Sequence, residues 1–217
     1  MKENRELKEM ALSQLNGKWV MAVIVSVIAW LLTDAFTGNG GRESASFIFD
    51  NGTWVQNRFS SLASLISLLV SGPINFGLAA YFLGLSRNDE GSLDDLFSGF
   101  PLFGKTFLLH VLMMVFTFLW ALLLIIPGII AALRYSMSYY IMNDHPEIGP
   151  MEAIEMSKEL MDGQKMRLFT LTLSFIGWFL LGIITFGLGF LYLMPYYNAT
   201  IANFYEDLKA PKLGYSY

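Results

Sequence analysis

The chain has 217 residues, of which 54% are hydrophobic and only 15% charged, with a net charge of −4. Soluble domains carry about 25% charged residues, so this composition points away from an ordinary soluble fold and toward a membrane. The absence of cysteine excludes disulfides, thiolate metal sites and thiol chemistry, and no basic block suited to nucleic acid is present.

Residues 1–18 read as a cytoplasmic amphipathic lead-in. Leu7, Met10, Ala11 and Leu15 recur at helical spacing, Arg5, Lys8 and Glu9 lie elsewhere, and Gly17 is a stop signal. Lys18-Trp19 has the chemistry of a membrane interface, since lysine reaches to the headgroups and tryptophan prefers that depth. A bilayer core of about 30 Å needs about 20 apolar residues per helix. The first such run is Trp19–Phe36, which has no small-x-small cleavage pattern and reads as an uncleaved span. Residues 37–61 form a polar external loop, in which Asn51-Gly52 between Phe47–Asp50 and Thr53–Val55 has the signature of a hairpin turn.

The second span is Leu62–Leu85, with Pro73 expected to kink it. Ser92 then precedes Asp94 and Asp95 as a helix cap, and Leu93, Leu96, Phe97 and Phe100 make an apolar stripe, so a short interfacial helix is predicted over 92–100. Lys105 opens the third run, Thr106–Ile126; Pro127-Gly128 breaks it, and Ile129–Asn143 follows. Residues 144–166 are a polar, amphipathic cytoplasmic segment that starts a helix at Gly149-Pro150 and stops it at Gly163, with Met151, Ile154, Ser157 and Met161 on one face. The last apolar block, Arg167–Phe186, is broken by Gly187-Leu188-Gly189 and resumes as Phe190–Ala202.

All of this predicts one all-α membrane domain over 1–217, but two span counts compete. If the blocks around Pro127 and Gly187 are long kinked helices, there are four spans; if each break is a tight turn, there are six. Lysine and arginine concentrate on the cytoplasmic side. With the N-terminus inside, four spans put Lys158, Lys165 and Arg167 outside, whereas six leave only Arg42 and Arg58 there. Charge therefore favours six spans with both termini cytoplasmic. Length opposes it, because Ile129–Asn143 rises only about 22 Å as a helix. Trp120–Ile126 also resembles Trp178–Ile184, each followed by a glycine break and a tyrosine-rich return, which hints at a duplicated hairpin.

Two intramembrane polar residues stand out. Arg134 lies inside an apolar run, where a charge costs at least about 2.5 kcal/mol. It either captures an anionic group such as a lipid phosphate, or it snorkels or pairs with carbonyls freed at a helix break. His110, just inside the third span, fits a helix–helix hydrogen bond better than a proton carrier. His145 has no second ligand nearby in sequence and reads as part of a solvated turn. No metalloprotease, nucleophile-elbow, phosphate-loop or dinucleotide motif occurs, so no catalytic residue, cofactor or metal is expected.

The segment Ile125–Phe169 carries Pro127-Gly128, Arg134, Glu152-Ala153-Ile154, Ser157, Leu160-Met161, Gly163 and Lys165 in a pattern that resembles domain of unknown function 975, a bacterial family of uncharacterised integral membrane proteins. Glu6–Lys8 through Gly17–Trp19 and Asp95–Phe100 resemble it too, so the likeness spans nearly the whole chain. The resemblance implies a multi-pass protein of the bacterial cell membrane and implies no activity. The expected role is a non-enzymatic component that binds membrane lipids, or a membrane-protein partner or further copies of itself. The alternative is a small transporter or exporter subunit that uses helices broken at Pro73, Pro127, Gly128, Gly187 and Gly189.

Overall fold

The computed structural model describes residues 1–33 and 53–212, and among these there are helices and no strand. In chain order they are α1 Asn4–Leu15, α2 Trp19–Thr33, α3 Thr53–Ser86, α4 Leu93–Phe97, α5 Phe103–Leu123, α6 Ile125–Tyr135, α7 Ser138–Asp144, α8 Pro150–Leu160, α9 Lys165–Leu173, α10 Ile176–Ile184 and α11 Leu188–Lys212. Four helical segments are long and apolar enough to cross a membrane: Ser64–Ser86, Phe103–Leu123, Ile125–Asp144 and Lys165–Ile184.

The lead-in forms as its pattern requires. Glu3 and Glu6 cap α1 reciprocally, Leu7, Ala11 and Leu15 are fully buried, and Gly17 ends the helix with a positive φ of 78°. The chain then bends by 103° into α2. Helix α1 is docked against α11: the Lys2 backbone N–H donates to Asp207, and Gln14 and Asn203 exchange amide hydrogen bonds of 3.1 and 2.7 Å.

Helix α3 starts nine residues before the expected span. The predicted turn at Asn51-Gly52 lies outside the described residues, but its second arm, Thr53–Val55, is helical, and so is the rest of what was expected as loop through Ser61. Pro73 sits inside this one continuous helix. The Ser92 cap on α4 is present, with Asp95 accepting from the Ser92 backbone N–H at 2.7 Å. Leu96 is fully buried, while Leu93, Phe97 and Phe100 stay exposed.

Both expected breaks reverse the chain. The first reversal is not at Pro127-Gly128 but at Leu124, the single extended residue between α5 and α6 (φ −161°, ψ 150°). Pro127 occupies the first turn of α6, where a helix has no partner for an N–H in any case. Gly128 serves close packing instead: a Cβ there would lie 2.7 Å from the Ala121 Cβ. The pairs Ala121/Gly128, Phe116/Tyr135 and His110/Tyr139 define an antiparallel hairpin. In the second hairpin Gly187 is the turn residue, with φ 96° and its N–H on the Gly182 carbonyl. Gly189, expected as part of that break, is inside α11 and packs on Gly182. Phe179/Phe190, Trp178/Tyr192 and Phe175/Tyr196 align the two legs. The two hairpins thus share a plan: a tight turn, a small-residue seam beside it and aromatic pairs below.

Helix α8, Pro150–Leu160, starts at Gly149-Pro150 as predicted and ends three residues before Gly163, and Ala153 rather than Met151 joins Ile154, Ser157 and Met161 in its buried face. An ionic cluster ties the polar ends of α3, α7 and α11. Arg87 donates to Asp144 at 2.7 Å and to Glu206 at 2.6 Å, Lys209 donates to Asp144 at 2.5 Å, and the Tyr205 hydroxyl donates to Asp144 at 2.8 Å.

Candidate functional site

Where α3, α7, α9 and α11 converge, the bundle leaves a cavity of about 210 Å³ with an unusual wall. Asn75 comes from α3, Ser136 from the link between α6 and α7, Tyr139 and Tyr140 from α7, and Tyr197 and Asn198 from α11. Leucine, alanine and isoleucine complete it, and no charged side chain lines it. Apolar stretches on all four elements pack the bundle, and these few amide- and hydroxyl-bearing residues line the remaining space.

Each polar group is held in place. Asn75 and Asn198 each donate one amide N–H to a carbonyl one turn back on their own helix, Ser71 at 2.8 Å and Met194 at 3.0 Å. An asparagine amide has a second N–H and an acceptor oxygen, so each retains hydrogen-bonding capacity beyond its own helix. The Tyr139 hydroxyl lies 2.7 Å from Nδ1 of His110 on α5. His110 is therefore a brace within the first hairpin, behind the cavity wall. Tyr140 stacks on Tyr205 at 5.4 Å between ring centroids, and Tyr205 in turn reaches Asp144. Burial, and then the Asp144 carboxylate, push the Tyr205 phenol far above its usual range, so it stays a donor. Burial opposes the charge on Arg87, but its hydrogen bonds to Asp144 and Glu206 outweigh this and hold the guanidinium above the ordinary arginine value.

Tyr197 and Asn198 also line a second space, a groove of about 440 Å³ between α9–α10 and α11. Its walls are almost wholly apolar and include Phe169, Phe175, Ile176, Phe179 and Leu193. Ile176 and Phe179 are at least half exposed, so the groove opens on the outer face of the second hairpin. Tyr197 and Asn198 thus face both the outer groove and the inner cavity.

Arg134 is elsewhere. It lines a separate space of about 190 Å³ on the first hairpin with Trp120, Pro127, Ile130, Ala131 and Tyr135. Its Nε is buried without a hydrogen-bond partner. Its position in the last turn of α6 suits a cation, because the helix dipole is negative there. Its backbone carbonyl accepts from Ser157 of α8 at 2.7 Å. Arg134 and His110, the two residues that stood out in the sequence, are not brought together. Among the described residues no group of three or more histidine or carboxylate side chains is placed to hold a metal.

A family model described as Protein of unknown function (DUF975) matches residues 1–131 and 121–212. The chain belongs to this DUF975 family. No curated protein and no solved structure matches it. Within the DUF975 chain, the residues that gather at the cavity come from positions 75, 136–140 and 197–198, and only the tertiary fold joins them. Asn75 and Asn198 are not among the residues that stand out in the sequence; an amide within an apolar helix is the signal that could have found them.

Proposed function

We propose that this protein is a non-enzymatic, lipid-binding component of the bacterial cytoplasmic membrane. It crosses the membrane six times with both termini in the cytoplasm. The observation that carries the lipid reading is the outer groove: an apolar slot of about 440 Å³, open along an exposed apolar hairpin, whose wall residues Tyr197 and Asn198 also line the polar cavity. Ligand pockets of about 300–1,000 Å³ with few, placed polar groups are the common form of small-molecule sites. Native mass spectrometry of the gently solubilised protein tests it. A lipid retained in one-to-one ratio is expected, and loss of all lipid at the lowest activation would refute the reading. Arg134→Gln is expected to leave that retention unchanged; its loss would move the site to the first hairpin.

The six-span topology draws support from the two reversals. With its turn at Leu124, the returning segment is Ile125–Asp144, 20 residues that rise about 30 Å. The shortfall calculated from Ile129 disappears. Because the chain has no cysteine, single cysteines report sidedness directly. Leu124→Cys, at the exposed hairpin tip, should react with an impermeant maleimide from outside intact cells, and Lys158→Cys only after permeabilisation. Reaction of Lys158→Cys from outside, or no reaction of Leu124→Cys from either face, would overturn six spans.

The transporter alternative draws on the local turns that interrupt otherwise helical segments at Ser136-Met137, beside the cavity, and at Ser174-Phe175, beside the groove. Irregular backbone next to an internal polar site is the common plan of transporters. Ligand-dependent flux in proteoliposomes would favour it over simple binding.

A further inference from the structure

The chemistry of the inner cavity specifies what kind of lipid fits. We infer that the site takes a lipid with an uncharged, hydrogen-bonding headgroup, of the diacylglycerol type, with its headgroup at Asn75, Ser136 and Asn198 and its chains in the outer groove, reached past Tyr197 and Asn198, which line both spaces; this rests on the lipid-binding reading above. Three observations carry it. Neither the cavity nor the groove has a charged side chain in its wall. A phosphate or carboxylate moved into the cavity would lose its hydration with no cation in the wall to replace it, and Lys8, which stacks on Phe175 of the groove, is already held by the Ser174 carbonyl. The wall instead supplies amides and hydroxyls, which both donate and accept and so match hydroxyl and ester oxygens.

The second observation is closure. Tyr140 and Tyr205 are 7% and 2% exposed, and their stacked rings lie between the cavity and the ionic cluster at Asp144. A headgroup in the cavity is therefore screened from the aqueous end of the bundle, and a charged one has no route to water through that wall. The third is access. The groove opens sideways between α9–α10 and α11 on exposed apolar faces, so a lipid enters from the bilayer with its chains already in an apolar medium. The inner volume of about 210 Å³ is room for a small headgroup.

The test uses full-length protein in detergent with a fluorescent diacylglycerol probe, displaced by unlabelled dioleoylglycerol or by dioleoylphosphatidylglycerol. The wild-type protein is expected to bind the probe saturably, and dioleoylglycerol to displace it at least about tenfold better than the anionic lipid. Asn75→Leu with Asn198→Leu keeps the branched side-chain shape and removes the amides, and should weaken probe binding by at least on the order of tenfold, the effect of one or two lost hydrogen bonds. Leu193→Trp fills the groove and should abolish binding. Equal or better displacement by phosphatidylglycerol would overturn the headgroup assignment while leaving lipid binding in place. A probe that binds with no sensitivity to Leu193→Trp would show that the groove is not the lipid site and overturn both. The competition on wild-type protein gives its answer even if a variant fails to fold.

Discussion

Gly77→Ala is expected to destabilise the protein by about 3 kcal/mol, the upper end of the cost of overpacking a close-fitted interior. A Cβ at this position would sit 1.9 Å from the Leu96 carbonyl oxygen, 2.4 Å from its carbon and 2.8 Å from the Asp95 oxygen. These are backbone atoms of α4, and no side-chain rotation relieves the clash. The same seam runs on through Gly99, which would meet the Pro73 carbonyl at 2.3 Å, and Gly72, which would meet that of Thr106 at 2.5 Å. Backbone therefore lies on backbone where α3 meets the segment from α4 to α5. Five residues make too short a helix to persist alone in water. Once lifted off α3, α4 should melt and expose Leu96. Heating steps followed by size-exclusion chromatography in detergent would show a lowered midpoint, and limited proteolysis a new cut between Arg87 and Phe97. Gly177→Ala is the control, because nothing lies within 4 Å of its Cβ position. Equal midpoints for the two variants would mean that α4 does not press on α3.

That seam illustrates what the sequence conveys and what it hides. Local signals place the end of α1 and the start of α8, because Gly17 and Gly149-Pro150 act through the conformation of their own residues; Gly163 has the positive φ of a stop but lies three residues past the end of α8. The cap at Ser92 was legible for the same reason. The turn of the first hairpin was misplaced by three residues. Proline is as well suited to the first turn of a helix as to a break, and glycine serves close packing as well as turning; only the partner, here Ala121, decides. Gly189 was misread likewise, since its role depends on Gly182. At the site, Arg134 and His110 stand out in the sequence because a charged or ionisable group in an apolar run is conspicuous. The cavity is instead walled by neutral amides and phenols from α3, α7 and α11, whose contribution arises only when those helices meet.

Asp144→Ala is expected to cost about 3 kcal/mol, the scale measured when one partner of a buried ionic group is removed. The Asp144 side chain is only 9% exposed and accepts from three donors, Arg87 of the α3 C-terminal link and Tyr205 and Lys209 of α11. Without it, Arg87 keeps Glu206, but Lys209 and the Tyr205 hydroxyl lose the acceptor they share. Arg87 is 38% exposed, so its share is screened and the loss falls chiefly on the other two. Lys209→Met alone should cost about 1 kcal/mol, and the double variant less than the sum, because the methionine no longer strands a charge beside the missing carboxylate. Strict additivity of the two would refute a shared network. The lesion should also travel inward. Tyr205 positions Tyr140, and Tyr140 walls the cavity. Asp144→Ala is therefore expected to weaken lipid retention without touching the lipid, while Glu206→Ala, which leaves the Tyr205 bond intact, should not. If both variants retain lipid equally at a temperature where both stay folded, the stacked tyrosines do not couple the polar end of the bundle to its interior.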